Sequence, residues 1–127
     1  MSVAFYLTLD EVFALHAALI ARHGGAPGVR DTGLVESALA RARSGYYGSL
    51  SEQAAALLQS FAMNHAFIDG NKRVAWAASL VFLRMNGHRV ITTADEAEGF
   101  LIQQVIVGRA ELEAIAQWLE KRMRAVK

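Results

Sequence analysis

The sequence predicts an all-α single domain, and three observations carry that expectation. Apolar residues recur at helical spacing over most of the chain, three capping boxes mark helix starts, and glycine-containing loops interrupt the periodic runs. The 127 residues suit one compact domain spanning 1–127, large enough to bury a core without disulfides. No repeat, low-complexity stretch or linker divides it.

Thr8 and Glu11 have capping-box spacing and open a helix to about Arg22, with Val12, Leu15, Leu19 and Ile20 as its buried stripe and Gly24-Gly25 as its stop. The loop "GGAPGVRD" holds the only proline and ends at Asp31, which suits the N-cap of a short helix through "TGLVESALARA". Ser49 and Glu52 start a strongly apolar helix carrying Leu57, Leu58, Phe61 and Ala62 as far as Asn64. The next helix runs from about Asn71 to Met85; it is alanine-rich, which suits a central position, and Asn86-Gly87 ends it. "HRVIT", residues 88 to 92, is β-branched enough for a short strand, and "VAFYL" at residues 3 to 7 is the expected partner in a minor β-pairing. Thr93 and Glu96 begin a helix to about Val107, Gly108 separates it from "ELEAIAQWLEKRM", and the basic "EKRMRAVK" reads as a solvated helix end.

Composition excludes several chemistries. Cysteine is absent, so there is no thiolate metal site or cysteine nucleophile, and the chain suits a reducing cytoplasm. Thirteen basic against twelve acidic residues leave a formal charge of +1, without the basic stripe of a nucleic-acid binder. Residues 1 to 9 lack the pattern of a secretory signal, and no stretch approaches the roughly 20 apolar residues of a membrane span. A soluble cytoplasmic protein that binds neither nucleic acid nor membrane is therefore expected.

Against this background "HAFIDGNKR", residues 65 to 73, concentrates polar chemistry between two apolar helices. A helix N-terminus offers unpartnered N–H groups and the positive end of the dipole, a natural phosphate site, and Gly70 permits close approach to its backbone. Lys72 and Arg73 would weaken the helix by about 0.3–1 kcal/mol unless an anion offsets their charge. Arg73 can grip phosphate oxygens through its planar fork, with Lys72 acting as a point charge. Asp69 is the only carboxylate in the turn and suits Mg²⁺ shared with a polyphosphate. His65 can take a proton from an incoming hydroxyl, as imidazoles titrate near neutrality. Plainer roles exist for each: Asp69 or Asn71 can cap the helix, His65 can be structural, and Phe67 anchors the turn in either case.

Other residues have two readings as well. Arg30 and Asp31 serve either a partner or a helix cap, and Tyr46 and Tyr47 either a partner or loop packing. His16 and His23 lack the neighbouring carboxylates of a metal site, and His88 reads as a strand residue.

"HAFIDGNKR" resembles the signature of the Fic/Doc superfamily, His-x-Phe-x-Asp/Glu-Gly-Asn-Gly/Lys-Arg, and Lys72 in place of a second glycine resembles its Doc branch. "YLTLDEVFALH", "GVRDTGLVESALAR" and "LVFLRMNGHRV" extend the likeness over most of the chain. The resemblance implies a compact Fic-fold helical bundle and the toxin half of a type II toxin–antitoxin pair, neutralised by a Phd-like antitoxin. It also implies a protein kinase that moves the γ-phosphate of ATP to a threonine of elongation factor Tu and so inhibits translation. By the same resemblance His65 is the general base, Asp69 the Mg²⁺ or catalytic carboxylate, and Asn71 a phosphate-contacting or positioning residue. Lys72 and Arg73 would bind the nucleotide phosphates, with the Gly70 and Asn71 backbone completing an anion nest.

The chain departs from the pattern in four places. Trp76 stands where AMP-transferring Fic enzymes carry a second arginine, which favours phosphate over AMP transfer. Ala66 replaces a frequent proline, Val74 a common threonine, and Met63 an arginine found in some Doc proteins. Nucleotidyl transfer to a protein hydroxyl, and a non-catalytic module that binds with the same fold, are the two alternatives.

Overall fold

The structure, a computed structural model, describes residues 4–126. Among them it places α1 (Leu9–His23), α2 (Thr32–Ala42), α3 (Leu50–Asn64), α4 (Asn71–Met85), β1 (His88–Val90), α5 (Ala94–Gly99), a π-helix (Phe100–Val107), α6 (Leu112–Arg122) and β2 (Met123–Ala125). The all-α expectation holds. No helix among the described residues is long and apolar enough to cross a membrane.

The caps act as the sequence anticipates, with differences in detail. Thr8 and Glu11 form a complete reciprocal capping box. Asp31, Ser49 and Thr93 accept the N–H of Leu34, Glu52 and Glu96, but the glutamates of the latter two do not reach back to the cap backbone. The Glu52 carboxylate accepts the Ser49 hydroxyl instead, and that of Glu96 accepts from Thr92 and Arg122.

The centre of the bundle is α3 rather than the alanine-rich α4. Ala54 to Leu58, Phe61 and Ala62 are all buried, and α2, α4, α6 and the π-helix pack around them. A helix apolar on nearly every side is stable only when surrounded. Small residues let α4 approach closely: the buried Ser79 hydroxyl bonds to the Ala75 carbonyl at 2.8 Å and lies 3.3 Å from that of Ala54.

Three sequence expectations need correction. β1 pairs antiparallel with β2, His88 opposite Ala125 and Val90 opposite Met123, and not with the amino-terminal stretch. Of that stretch residue 3 lies outside the described residues; Phe5 is held by the Asn86 amide, which accepts its N–H at 2.8 Å and donates to its carbonyl at 2.9 Å, replacing a strand partner. The carboxyl-terminal end is accordingly not all helix, since α6 stops at Arg122 and β2 follows. Finally, the helix opened by Thr93 turns into a π-helix at Phe100. An α-helix turns about 100° per residue and would set Phe100 and Val105 about 140° apart. The wider turn buries both, together with Leu101.

Candidate active site

The polar stretch is a turn between α3 and α4, pinned by the loop at residues 24 to 31. Val29 forms a β-bridge with Phe67, Ile68 N–H donates to the Gly28 carbonyl at 3.1 Å, and the Arg30 and Asp31 N–H groups both donate to Ala66 at 2.8 and 3.0 Å. The glycine-rich loop is thus the second wall of the turn, a relationship with no signal in the linear sequence. At Gly25, φ is +114° and a Cβ would lie 2.8 Å from Asp69 Oδ2, so only glycine fits. Gly25→Ala is expected to cost about 1–3 kcal/mol through backbone strain, more with the displaced carboxylate, and a melting curve measures it.

His65 leaves α3 in the left-handed region, φ 53° and ψ 46°, and its side chain is exposed at the cleft mouth. Arg30 holds this turn, its Nε donating to the His65 carbonyl at 2.7 Å and its guanidinium reaching Asn64 O at 3.4 Å. Of the two readings of Arg30 and Asp31, the structure uses both residues internally: Asp31 caps α2 and Arg30 positions His65.

Phe67 is fully buried, stacked on His16 with ring centroids 4.0 Å apart and tilted against Phe61. His16 is the residue that sequence reasoning passed over. Only 4% exposed, it donates from Nε2 to the Asp69 carbonyl at 2.8 Å and so fixes the backbone of the turn from α1. Its place at i+4 from Val12 and i−4 from Ile20, on the buried stripe, was the available signal.

Neither Asp69 nor Asn71 caps α4. The Asn71 amide folds back on Phe67, Oδ1 accepting its N–H at 3.0 Å and Nδ2 donating to its carbonyl at 2.9 Å. Asp69 accepts the Ala26 N–H at 3.1 Å on Oδ2 and the Gly70 N–H at 2.8 Å on Oδ1. These two bonds hold its carboxyl below the ordinary value of 3.8, and the charges of Arg73 and His16 add to them. The N-cap of α4 is Gly70, φ 78°, which offers no side-chain cap, so the first N–H groups of α4 lack one. Gly70 also packs tightly: a Cβ there would lie 3.2 Å from Ile20 and 3.5 Å from His16, an internal reason for glycine besides anion approach.

His65, Asp69, Gly70, Asn71, Lys72 and Arg73 all line one cleft of about 670 Å³, so the structure brings together every residue the sequence singled out for chemistry. Glu98 of α5 enters the same cleft and lies 3.9 Å from Lys72 Nζ, both side chains largely exposed. Arg73 has no carboxylate within 4 Å among the described residues. Asp69 is the candidate metal ligand. Each of its oxygens spends one lone pair on a backbone N–H and keeps capacity for a cation, which fits Mg²⁺ bound through a single carboxylate.

Away from the cleft, Tyr47 is a loop anchor whose hydroxyl accepts from Arg41 Nε at 3.0 Å, whereas Tyr46 is 84% exposed.

The helical bundle thus gathers an imidazole, a carboxylate and two cations at one helix start without a side-chain cap. The sequence pattern of the Fic/DOC family matches residues 6–83, well over half the chain, and the protein belongs to that family. Two relatives are similar over nearly their whole length. The chain is 44% identical over 115 residues to "Toxin Doc" of Mycolicibacterium smegmatis, covering 85% of this chain and 87% of the relative. It is 35% identical over 120 residues to "Protein kinase doc" of Escherichia phage P1, covering 91% and 94%.

Proposed function

We propose that the chain is a Doc-type toxin and protein kinase that transfers the γ-phosphate of ATP to a serine or threonine hydroxyl of a translation factor, elongation factor Tu first. A Phd-like antitoxin encoded beside it is its neutralising partner, and a target in translation puts it in the cytoplasm. The observation that carries this reading is the convergence of His65, Asp69, Lys72 and Arg73 on one cleft at an uncapped helix start. The Doc names of both relatives, one of them a protein kinase, support it.

The acceptor oxygen attacks the γ-phosphorus, its proton passes to the His65 imidazole, and the bond from the γ-phosphorus to its bridging oxygen breaks to release ADP. Lys72, Arg73 and the first N–H groups of α4 offset the negative charge on the phosphates. Asp69 would hold Mg²⁺, which when bound supplies further charge neutralisation to the phosphates. Asn71 acts as a positioning residue through its amide clamp on Phe67 rather than by touching phosphate with its side chain. Nucleotidyl transfer is less well served, because Trp76 occupies the place where a third cation would stand on α4.

The Glu98 carboxylate lies 3.9 Å from Lys72 Nζ and would compete with a phosphate for it. An exposed pair of this kind is worth at most about 1 kcal/mol, so Glu98→Gln is expected to tighten inorganic triphosphate binding by up to about fivefold in calorimetry. Weaker binding in the presence of Mg²⁺ would instead make Glu98 a metal ligand.

The target is tested by incubating purified protein, Mg²⁺-ATP and elongation factor Tu and measuring the intact mass of the factor. The expected result is one added phosphoryl group; an unmodified factor would contradict the target.

A further inference from the structure

The cleft is lined by two chemically different sets of residues. His65, Asp69, Lys72 and Arg73 gather at the start of α4, whereas Ala62, Trp76, Leu101 and Ile106 present apolar surface. Phosphates account for the first set only. Trp76 lines the cleft and is half-buried, so part of its indole is open to a ligand.

That indole is braced from behind. Trp118 meets it edge-on at 6.1 Å and 70°, Trp118 stacks on Phe100 at 4.1 Å and 7°, and the Arg122 guanidinium covers Trp118 at 3.9 Å. Arg122 Nε also donates to Glu96 at 2.7 Å, which ties the end of α6 to α5. An aromatic surface already held in place gives up little conformational freedom when a ligand lands on it. Trp76 follows Lys72 by four residues, so the two share one face of α4, and it lies about 7.5 Å along the helix axis from Asn71.

Resting on the reading that the start of α4 holds phosphates, we propose that Trp76 is the base platform of this cleft. The purine ring of a nucleoside triphosphate packs against the indole, and its phosphates run back along α4 toward Lys72 and Arg73. The terminal phosphate, farthest from the base, is then the one that meets His65. Trp76 therefore does more than leave out a cation: it sets which phosphorus faces the base. Stacking uses the π-face that every nucleobase has, so ATP and GTP both bind, and the platform itself does not choose between them.

The test uses the full chain in a Trp118→Phe background, where Trp76 is the sole tryptophan and can be excited apart from the tyrosines, and compares ATP, GTP and inorganic triphosphate, each with Mg²⁺. ATP and GTP are expected to quench Trp76 emission, whereas triphosphate competes with both but leaves emission nearly unchanged. In the wild-type background, Trp76→Ala should weaken ATP binding roughly five- to a hundredfold without altering triphosphate binding, and Trp76→Phe should restore most of the loss. Equal effects of Trp76→Ala on ATP and triphosphate, or no effect on either, would overturn the base platform while leaving the phosphate site standing. Failure of all three ligands to bind the unsubstituted chain would overturn the phosphate site and the platform with it.

Discussion

His65→Ala is expected to lower phosphate transfer by about 10²–10⁴-fold, the usual contribution of a general base, and to abolish growth arrest when the chain is expressed. The fold should survive: the imidazole is exposed and makes no hydrogen bond to the described residues. Because His65 is left-handed, His65→Asn is the companion variant, since asparagine tolerates that backbone better than alanine. Toxicity that persisted in both, with transfer intact, would mean that proton removal by His65 is not the active principle.

Asp69 carries the pH dependence that the geometry supports. Asp69 is held below its ordinary value of 3.8, so its carboxylate is ionised throughout the range from pH 5 to 8. What the charged Asp69 contributes to stability is fully present above that value and is lost only as pH falls below it. Stability measured by acid titration should therefore hold down to that value and fall only below it, and Asp69→Asn should remove this part of the acid sensitivity.

Phe67→Ala is expected to give the largest loss of stability. The ring is 1% exposed and packs on His16 and Phe61, and removing such a side chain costs about 3–5 kcal/mol. For a domain of this size that lowers the melting temperature on the order of 10–20 °C. Phe67→Leu, which keeps most of the volume, should cost far less. A shift of only a few degrees for the alanine variant would mean that the turn is not hung from the core through this ring. Activity would then also be insensitive to it, contrary to the way Phe67 carries the Asn71 clamp and the His16 stack.

Local rules explain why so much was legible. Thr8, Asp31, Ser49 and Thr93 act within three residues of themselves, so spacing alone located four helix starts. The nine-residue motif likewise keeps its chemistry within about two turns of chain, so its residues had to meet in one cleft. What escaped is long-range. The pairing of β1 with β2 joins residues far apart in sequence, and the amino-terminal stretch had an equally good β pattern. His16 reaches the Asp69 backbone carbonyl across 53 positions, and Gly25 is shaped by the carboxylate of the same residue. The π-helix depends on which side chains the bundle needs inside, not on any intrinsic preference of "FLIQQVIV". Nothing in the linear sequence sets Glu98 apart from Asp95 and Glu96, and only the fold puts it beside Lys72.

Transfer of the terminal phosphate through the His65 cleft is decided with ATP labelled separately at the α and γ positions, incubated with the protein, Mg²⁺ and a cell extract containing the target. Label from the γ position should appear on protein, and His65→Ala should remove it, whereas label from the α position should stay in the nucleotide. Protein labelled from the α position would contradict the account and assign the cleft to nucleotidyl transfer.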